Sequence, residues 1–116
     1  FLERFLFPCL CYQVDSATGA LKTLAAKKPI GFIYTMNAPK EWGETAYSSM
    51  CYQIEGSLAA IYGCTVKSLK VYNTCQVKNY ADYDMEYFDA EAKHQYRDDH
   101  FEEDKQKAFD LGKNIL

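Results

Sequence analysis

No stretch of this sequence approaches the roughly 20 consecutive apolar residues that a membrane-spanning helix needs. Basic charge is also scarce: 13 Lys and Arg stand against 16 Asp and Glu, a formal charge of −3. The chain therefore has no cationic excess with which to neutralise a nucleic-acid backbone. The opening apolar run does not read as a secretory leader, because Glu3 and Arg4 interrupt it, no basic segment precedes it and no small-residue cleavage site closes it. A regular cysteine framework is missing too. Cys9, Cys11, Cys51, Cys64 and Cys75 are odd in number, and four of them adjoin residues of core character, which predicts reduced core thiols and a cytoplasmic setting. These absences leave a globular α/β domain with neither nucleic acid nor membrane as a partner. The composition, 48% hydrophobic and 25% charged over 116 residues, fits that class.

Leu2, Phe5 and Leu6 share one helix face and Pro8 ends the pattern, so residues 1–12 read as the end of a helix. Residues 13–28, with Asp15, Ser16, Thr18 and Gly19, read as a surface connection. Ile30-Gly31-Phe32-Ile33-Tyr34-Thr35-Met36 is an apolar run without alternation, which predicts a strand over 29–36 buried on both faces of a parallel sheet. Asn37-Ala38-Pro39 stops it, and Lys40 to Gly43 read as polar loop around Trp42. Met50, Ile54, Leu58 and Ile61 then recur every three or four residues, predicting a helix over 44–62 that Gly63 terminates in a left-handed cap. A shorter strand follows over 65–73, with more lysine on it, as suits a sheet edge. Residues 77–88 are rich in Tyr and Asp and read as an aromatic-packed loop. Over 89–115, Phe101, Ala108, Leu111 and Ile115 form a narrow apolar stripe, predicting one broken helix or two.

This order is βαβα, and a crossover helix sets the two strands parallel. Two strands do not make a stable open sheet, and the first is too apolar for an exposed edge. The expectation is a partial α/β fold, completed by a missing N-terminal half, another chain or a second copy of this one. The start at Phe1, without an initiator methionine, fits that expectation.

Three segments carry a resemblance: Phe1-Leu2-Glu3-Arg4-Phe5-Leu6-Phe7-Pro8, Tyr34-Thr35-Met36-Asn37-Ala38-Pro39, and Lys107-Ala108-Phe109-Asp110-Leu111-Gly112-Lys113. Together they resemble the C-terminal half of the NAD(P)H-dependent FMN reductase and iron–sulfur flavoprotein branch of flavodoxin-like proteins. The resemblance implies a three-layer fold in which the two strands are the fourth and fifth of a five-stranded sheet. It implies FMN as cofactor, NAD(P)H as electron donor and a quinone or flavin as acceptor. The family's Gly-Ser-Pro-Arg phosphate turn, its Pro-x-Tyr ring loop and its cluster cysteines have no counterpart here, and Cys9-x-Cys11 lacks further ligands. This chain alone is therefore expected to bind FMN poorly.

In open α/β sheets ligands bind outside the carboxyl ends of the strands. Thr35, Met36, Asn37 and Ala38 occupy such an end, with a hydroxyl, an amide and backbone groups suited to the pyrimidine edge of a flavin. The same residues also read simply as a turn. Trp42 is a candidate to stack on the ring or to anchor packing, with Tyr12 and Tyr47 as weaker candidates. His94 and His100, six residues apart, do not share a helix face, which disfavours a metal pair. No residue is assigned a catalytic role, since a flavin supplies its own reactive atoms. Two further readings stand beside the flavoenzyme: an assembly module that oligomerises through its exposed strand, and a degenerate domain with a structural role.

Overall fold

Pro39 and Gly63 set the limits of the helix that organises the fold. A computed structural model describes residues 1–115, and in it helix α2 runs Lys40–Tyr62. Pro39 precedes it with φ −57°, Glu41 complements the helix dipole in its first turn, and Gly63 closes it at φ 59°, ψ 42°, its N–H donating to the Ala59 carbonyl. The helix begins four residues before the expected 44. Lys40 to Gly43, read as loop, are its first turn, because Gly43 hides the helical pattern while serving a packing need. A Cβ at Gly43 would stand 3.0 Å from the Tyr72 ring, tighter than an ordinary contact, so a larger residue would make the ring or the helix shift by a few tenths of an ångström.

α2 connects strand β3, Ile30–Thr35, to strand β4, Val66–Val71. The strands pair in parallel from Ile30 opposite Val66 to Thr35 opposite Val71. Ile30, Phe32 and Tyr34 point to the α2 face, where two small cores form. One is built on Leu6, Leu58 and Ile61, the other on Tyr34, Met36 and Cys51, and Phe32 and Ile54 pack against both. Helix α3, Ala90–Lys113, lies on the opposite face and is continuous rather than broken. Asp89 caps it by accepting the Ala92 N–H at 3.0 Å. Among its buried and half-buried positions, Lys93, Tyr96, His100, Asp104, Ala108 and Leu111 follow the three-four spacing of one face, with Ala90 and His94 half-buried beside them. Phe101, expected in the stripe, is exposed beside it, with the Arg97 and Lys105 cations 5.4 and 5.3 Å from its ring.

β3 is not buried on both faces as its composition predicts. Gly31, Ile33 and Thr35 are exposed, Ile33 at 47%. α3 meets β3 near one end, where a Cβ at Gly31 would come within 2.9 Å of Ile115 and 3.6 Å of Leu111. Its middle turns present Tyr96, His100 and Asp104, which do not seal an apolar strand. Sequence composition reports what a strand is suited to; here that cover is incomplete among the described residues.

Residues 13–28 are not a plain connection. Strands β1, Leu10–Val14, and β2, Leu21–Thr23, form an antiparallel hairpin, with Leu10 opposite Thr23 and Val14 opposite Leu21. Between those pairs Tyr12 takes a left-handed φ of 52° and interrupts the ladder as a bulge, which erases the alternation that would mark a strand. At the tip the Asp15 carboxylate accepts the N–H groups of Ala17 and Thr18 and the Thr18 hydroxyl. Thr23 ties the hairpin to α2 by donating its hydroxyl to the Ile61 carbonyl at 2.8 Å. The N-terminal helix α1 covers only Leu2–Leu6; a 3-10 turn at Phe7–Cys9 follows, so residues 10–12, expected as helix end, already belong to β1. Of the five free thiols only Cys51 is buried, and the other four are half-buried rather than core.

The accessible surface is 8715 Å². A folded monomer of this mass exposes about 6,500 Å². The radius of gyration is 18.2 Å, against about 13 Å for a compact domain of this length. The roughly 2,200 Å² of excess belongs to an elongated molecule of 58 × 30 × 23 Å with exposed aromatics and an open sheet. No described helix is long and apolar enough to cross a membrane.

Candidate functional site at the carboxyl ends of the parallel strands

β3 and β4 finish at the same level, and their exits are laced together. Met36 N–H donates to the Val71 carbonyl at 2.8 Å, Asn73 N–H to Ala38 at 2.8 Å, and Thr74 N–H to Met36 at 2.9 Å. Asn73 makes this possible by adopting φ 52°, a left-handed conformation that asparagine tolerates better than most residues. A cleft of about 1060 Å³ opens beside the two exits. Its walls come from the β3 exit, the first turns of α2 and the segment that leads into α3.

Thr35, Met36, Asn37, Ala38 and Trp42 all line this cleft. They do so in different ways. The side chains of Met36 and Ala38 are buried, and the backbone of this segment is largely committed: Met36 N–H, Met36 C=O and Ala38 C=O bond to the β4 exit, and Asn37 C=O accepts from Lys93. The supply of free backbone groups is thus smaller than the sequence suggests. The Thr35 side chain is on an exposed position, and Asn37 Oδ1 is buried with no hydrogen-bond partner among the described residues. An unpartnered buried carbonyl oxygen is an acceptor that a ligand donor satisfies.

Trp42 is 57% exposed and meets the ring of Tyr47 edge-on, with centroids 5.4 Å apart at 81°. Tyr47 also lines the cleft, whereas Tyr12 lies in the hairpin and is not part of it. Tyr87, Phe88, Asp89 and Lys93 also line the cleft. Lys93 stands out: it is a cationic side chain with only 6% of its surface exposed. Its ammonium donates to the Asn37 carbonyl at 2.9 Å and to Asn73 Oδ1 at 2.8 Å, and lies 5.3 Å from the centre of the Phe88 ring. Among the described residues no carboxylate stands within salt-bridge distance of it. Asp89, the acidic side chain in the wall, is engaged in capping α3. Burial lowers the Lys93 pKa below the ordinary lysine value, opposed by the nearby Cys75 thiol.

Lys93 and Asn73 were not legible as site residues. Asn73 reads as a strand terminator, and Lys93 sits in a charge-dense segment that reads as a solvated face. One signal was present: Lys93 begins the same three-four series that continues through Ala108 and Leu111, which puts a lysine on the face that packs against the sheet. The two histidines serve as aromatic partners. His94 meets Tyr80 edge-on at 5.9 Å, and His100 lies 4.2 Å from Tyr96. The described residues contain no group of three or more His, Cys, Asp or Glu side chains placed to hold a metal.

The fold and cleft define a mixed α/β protein with a small parallel sheet and a largely apolar, aromatic-walled cleft with a few polar groups at its carboxyl edge. Comparison of the chain with family models, curated proteins and solved structures yields no match.

Proposed function

We propose that this chain forms the ring-facing part of an FMN-binding oxidoreductase of flavodoxin-like fold, which takes electrons from NAD(P)H and passes them to a small acceptor such as a quinone or another flavin. The observation that carries this reading is the cleft itself. It lies outside the carboxyl ends of parallel strands, the position at which open α/β sheets bind planar cofactors. An exposed indole and a tyrosine line it, as does Asn37, whose buried amide oxygen has no partner among the described residues.

These residues fit the isoalloxazine ring and not the phosphate. Asn37 Oδ1 suits the imide N–H of the ring's pyrimidine edge, and the Thr35 hydroxyl offers a donor or acceptor beside it. Trp42 and Tyr47 cover the ring and exclude water. Bound FMN supplies hydride and electron transfer; the protein supplies position and electrostatics. Within this reading β3 and β4 are the last two strands of a five-stranded sheet. The strands that carry the phosphate turn pair with the open edge of β3, from a segment outside this chain. The open sheet and the excess surface support that completion.

The test is a fluorescence titration of the chain with riboflavin and with FMN. Both are expected to quench the chain's fluorescence weakly and with similar affinity, because this chain reads the ring alone, and Trp42→Ala is expected to weaken both. Absence of quenching by either flavin up to the solubility limit of riboflavin overturns the proposal.

A second reading has its own observation. β3 has no charged residue and its outer edge is unpaired among the described residues, whereas β4 carries Lys67 and Lys70. An assembly module that pairs β3 with β3 of another copy would be colourless and dimeric by light scattering, with slowed amide exchange along Ile30–Thr35.

A further inference from the structure

We infer that Lys93 makes this cleft select the anionic, two-electron-reduced state of its ring ligand over the neutral oxidised state. The inference rests on the flavin reading above and adds the charge that the site prefers.

Three observations carry it. First, the Lys93 side chain is almost wholly removed from water, yet none of the described carboxylates compensates it. A buried cation without a counter-charge favours the arrival of an anion. Second, the ammonium is oriented. Two of its three protons are taken by the Asn37 carbonyl and Asn73 Oδ1, both fixed by the laced strand exits, which leaves one proton for another acceptor. Third, the unpartnered Asn37 Oδ1 belongs to the residue whose backbone carbonyl holds Lys93. One residue thus presents an acceptor beside a cationic donor. The pyrimidine edge of an isoalloxazine carries an imide N–H next to a carbonyl and ring nitrogen, and two-electron reduction places negative charge on that carbonyl–nitrogen side. Asn37 meets the N–H in both redox states; Lys93 gains only when the charge arrives.

The groups around the ammonium do not cancel this preference. The Asp89 carboxylate accepts the Ala92 N–H, and Cys75 Sγ is directed to the Lys93 carbonyl at 3.7 Å. The Phe88 ring, 5.3 Å away, attracts the ammonium through its quadrupole but carries no net charge that would neutralise it.

The experiment uses riboflavin, so that phosphate recognition plays no part. Its dissociation constant for the full chain is measured oxidised, by fluorescence quenching, and anaerobically reduced, by calorimetry. Lys93→Met and Lys93→Arg are compared with wild type. Wild type is expected to bind reduced riboflavin at least tenfold more tightly, equivalent to raising the two-electron potential by ~30 mV. Lys93→Met is expected to lose this ratio and Lys93→Arg to retain most of it. If oxidised and reduced riboflavin bind wild type equally, the inference is wrong even though the cleft binds flavin. If neither form binds, the flavin reading itself fails and takes this inference with it. A ratio that folded Lys93→Met retains in full overturns the assignment to Lys93, and if that variant does not fold, an equal affinity of wild type for both forms still refutes the inference.

Discussion

Truncating Leu58 to alanine probes whether the two small cores act independently. Leu58 is 4% exposed and packs with Leu6 and Ile61 where α1, the hairpin and α2 meet. The substitution removes three carbons, about 2.4 kcal/mol of transfer free energy at ~0.8 kcal/mol each. A cavity term adds to this unless the surroundings collapse. Here collapse is partly available, because α1 is five residues long and is held from one side. The total should therefore fall near 3 kcal/mol, in the lower half of the usual range of about 2–5. A chain of this length has about 6–17 kcal/mol of stability, and the small buried core places it at the low end, so the loss is close to half. Urea titration followed by far-UV circular dichroism reads the shift in midpoint. In the folded fraction at low temperature the cleft should be unchanged, since Tyr34, Met36 and Cys51 belong to the other core. A loss under 1 kcal/mol would show that Leu58 is not a structural centre, and altered riboflavin quenching by folded protein would show that the two cores are coupled.

Burial depresses the Lys93 pKa, so between its folded value and the ordinary lysine range the unfolded chain binds the extra proton and stability rises with pH. The wild-type unfolding free energy should therefore gain on that of Lys93→Met as pH climbs from neutral toward the lysine range; a difference constant with pH sinks the assignment. Asp89→Ala removes the α3 cap and should cost about 1 kcal/mol, seen as a lowered thermal midpoint and loosening of the turn that holds Lys93. Gly43→Ala gains about 1 kcal/mol of helix propensity but forces a Cβ to 3.0 Å from the Tyr72 ring. Overpacking costs about 1–3 kcal/mol, so a net loss near 1 is expected, and a stabilised variant would mean that α2 has room to move.

The βαβ unit was legible because its signals are local and strong. The apolar run from Ile30, the period through Ile54 and Leu58, and Gly63 each name one element, and the observed bounds lie within a few residues of those expected. The hairpin was hidden by Tyr12, whose bulge breaks alternation, and by a second strand of only three residues. The start of α2 was hidden by Gly43, chosen for proximity to Tyr72 rather than for propensity. In the cleft, the strand exit and Trp42 could be placed because position follows from topology. Lys93 and Asn73 could not, because their meeting joins residues 20 apart through a left-handed asparagine that no local pattern announces.

The two outer edges of the parallel sheet differ, and this sets how far it can grow. β4 carries Lys67 and Lys70, and Lys67 also reaches the Asn114 carbonyl at the end of α3. Lysines on an edge strand discourage further pairing. β3 offers no such deterrent. Extension is therefore favoured on one side: a strand added at β3 would leave the lysine-bearing rim of β4 as the outer edge. If the newcomer is a second copy, the two bare edges consume each other about a two-fold axis and the four-stranded product ends in lysines on both sides, a closed pair with no route to a fibre.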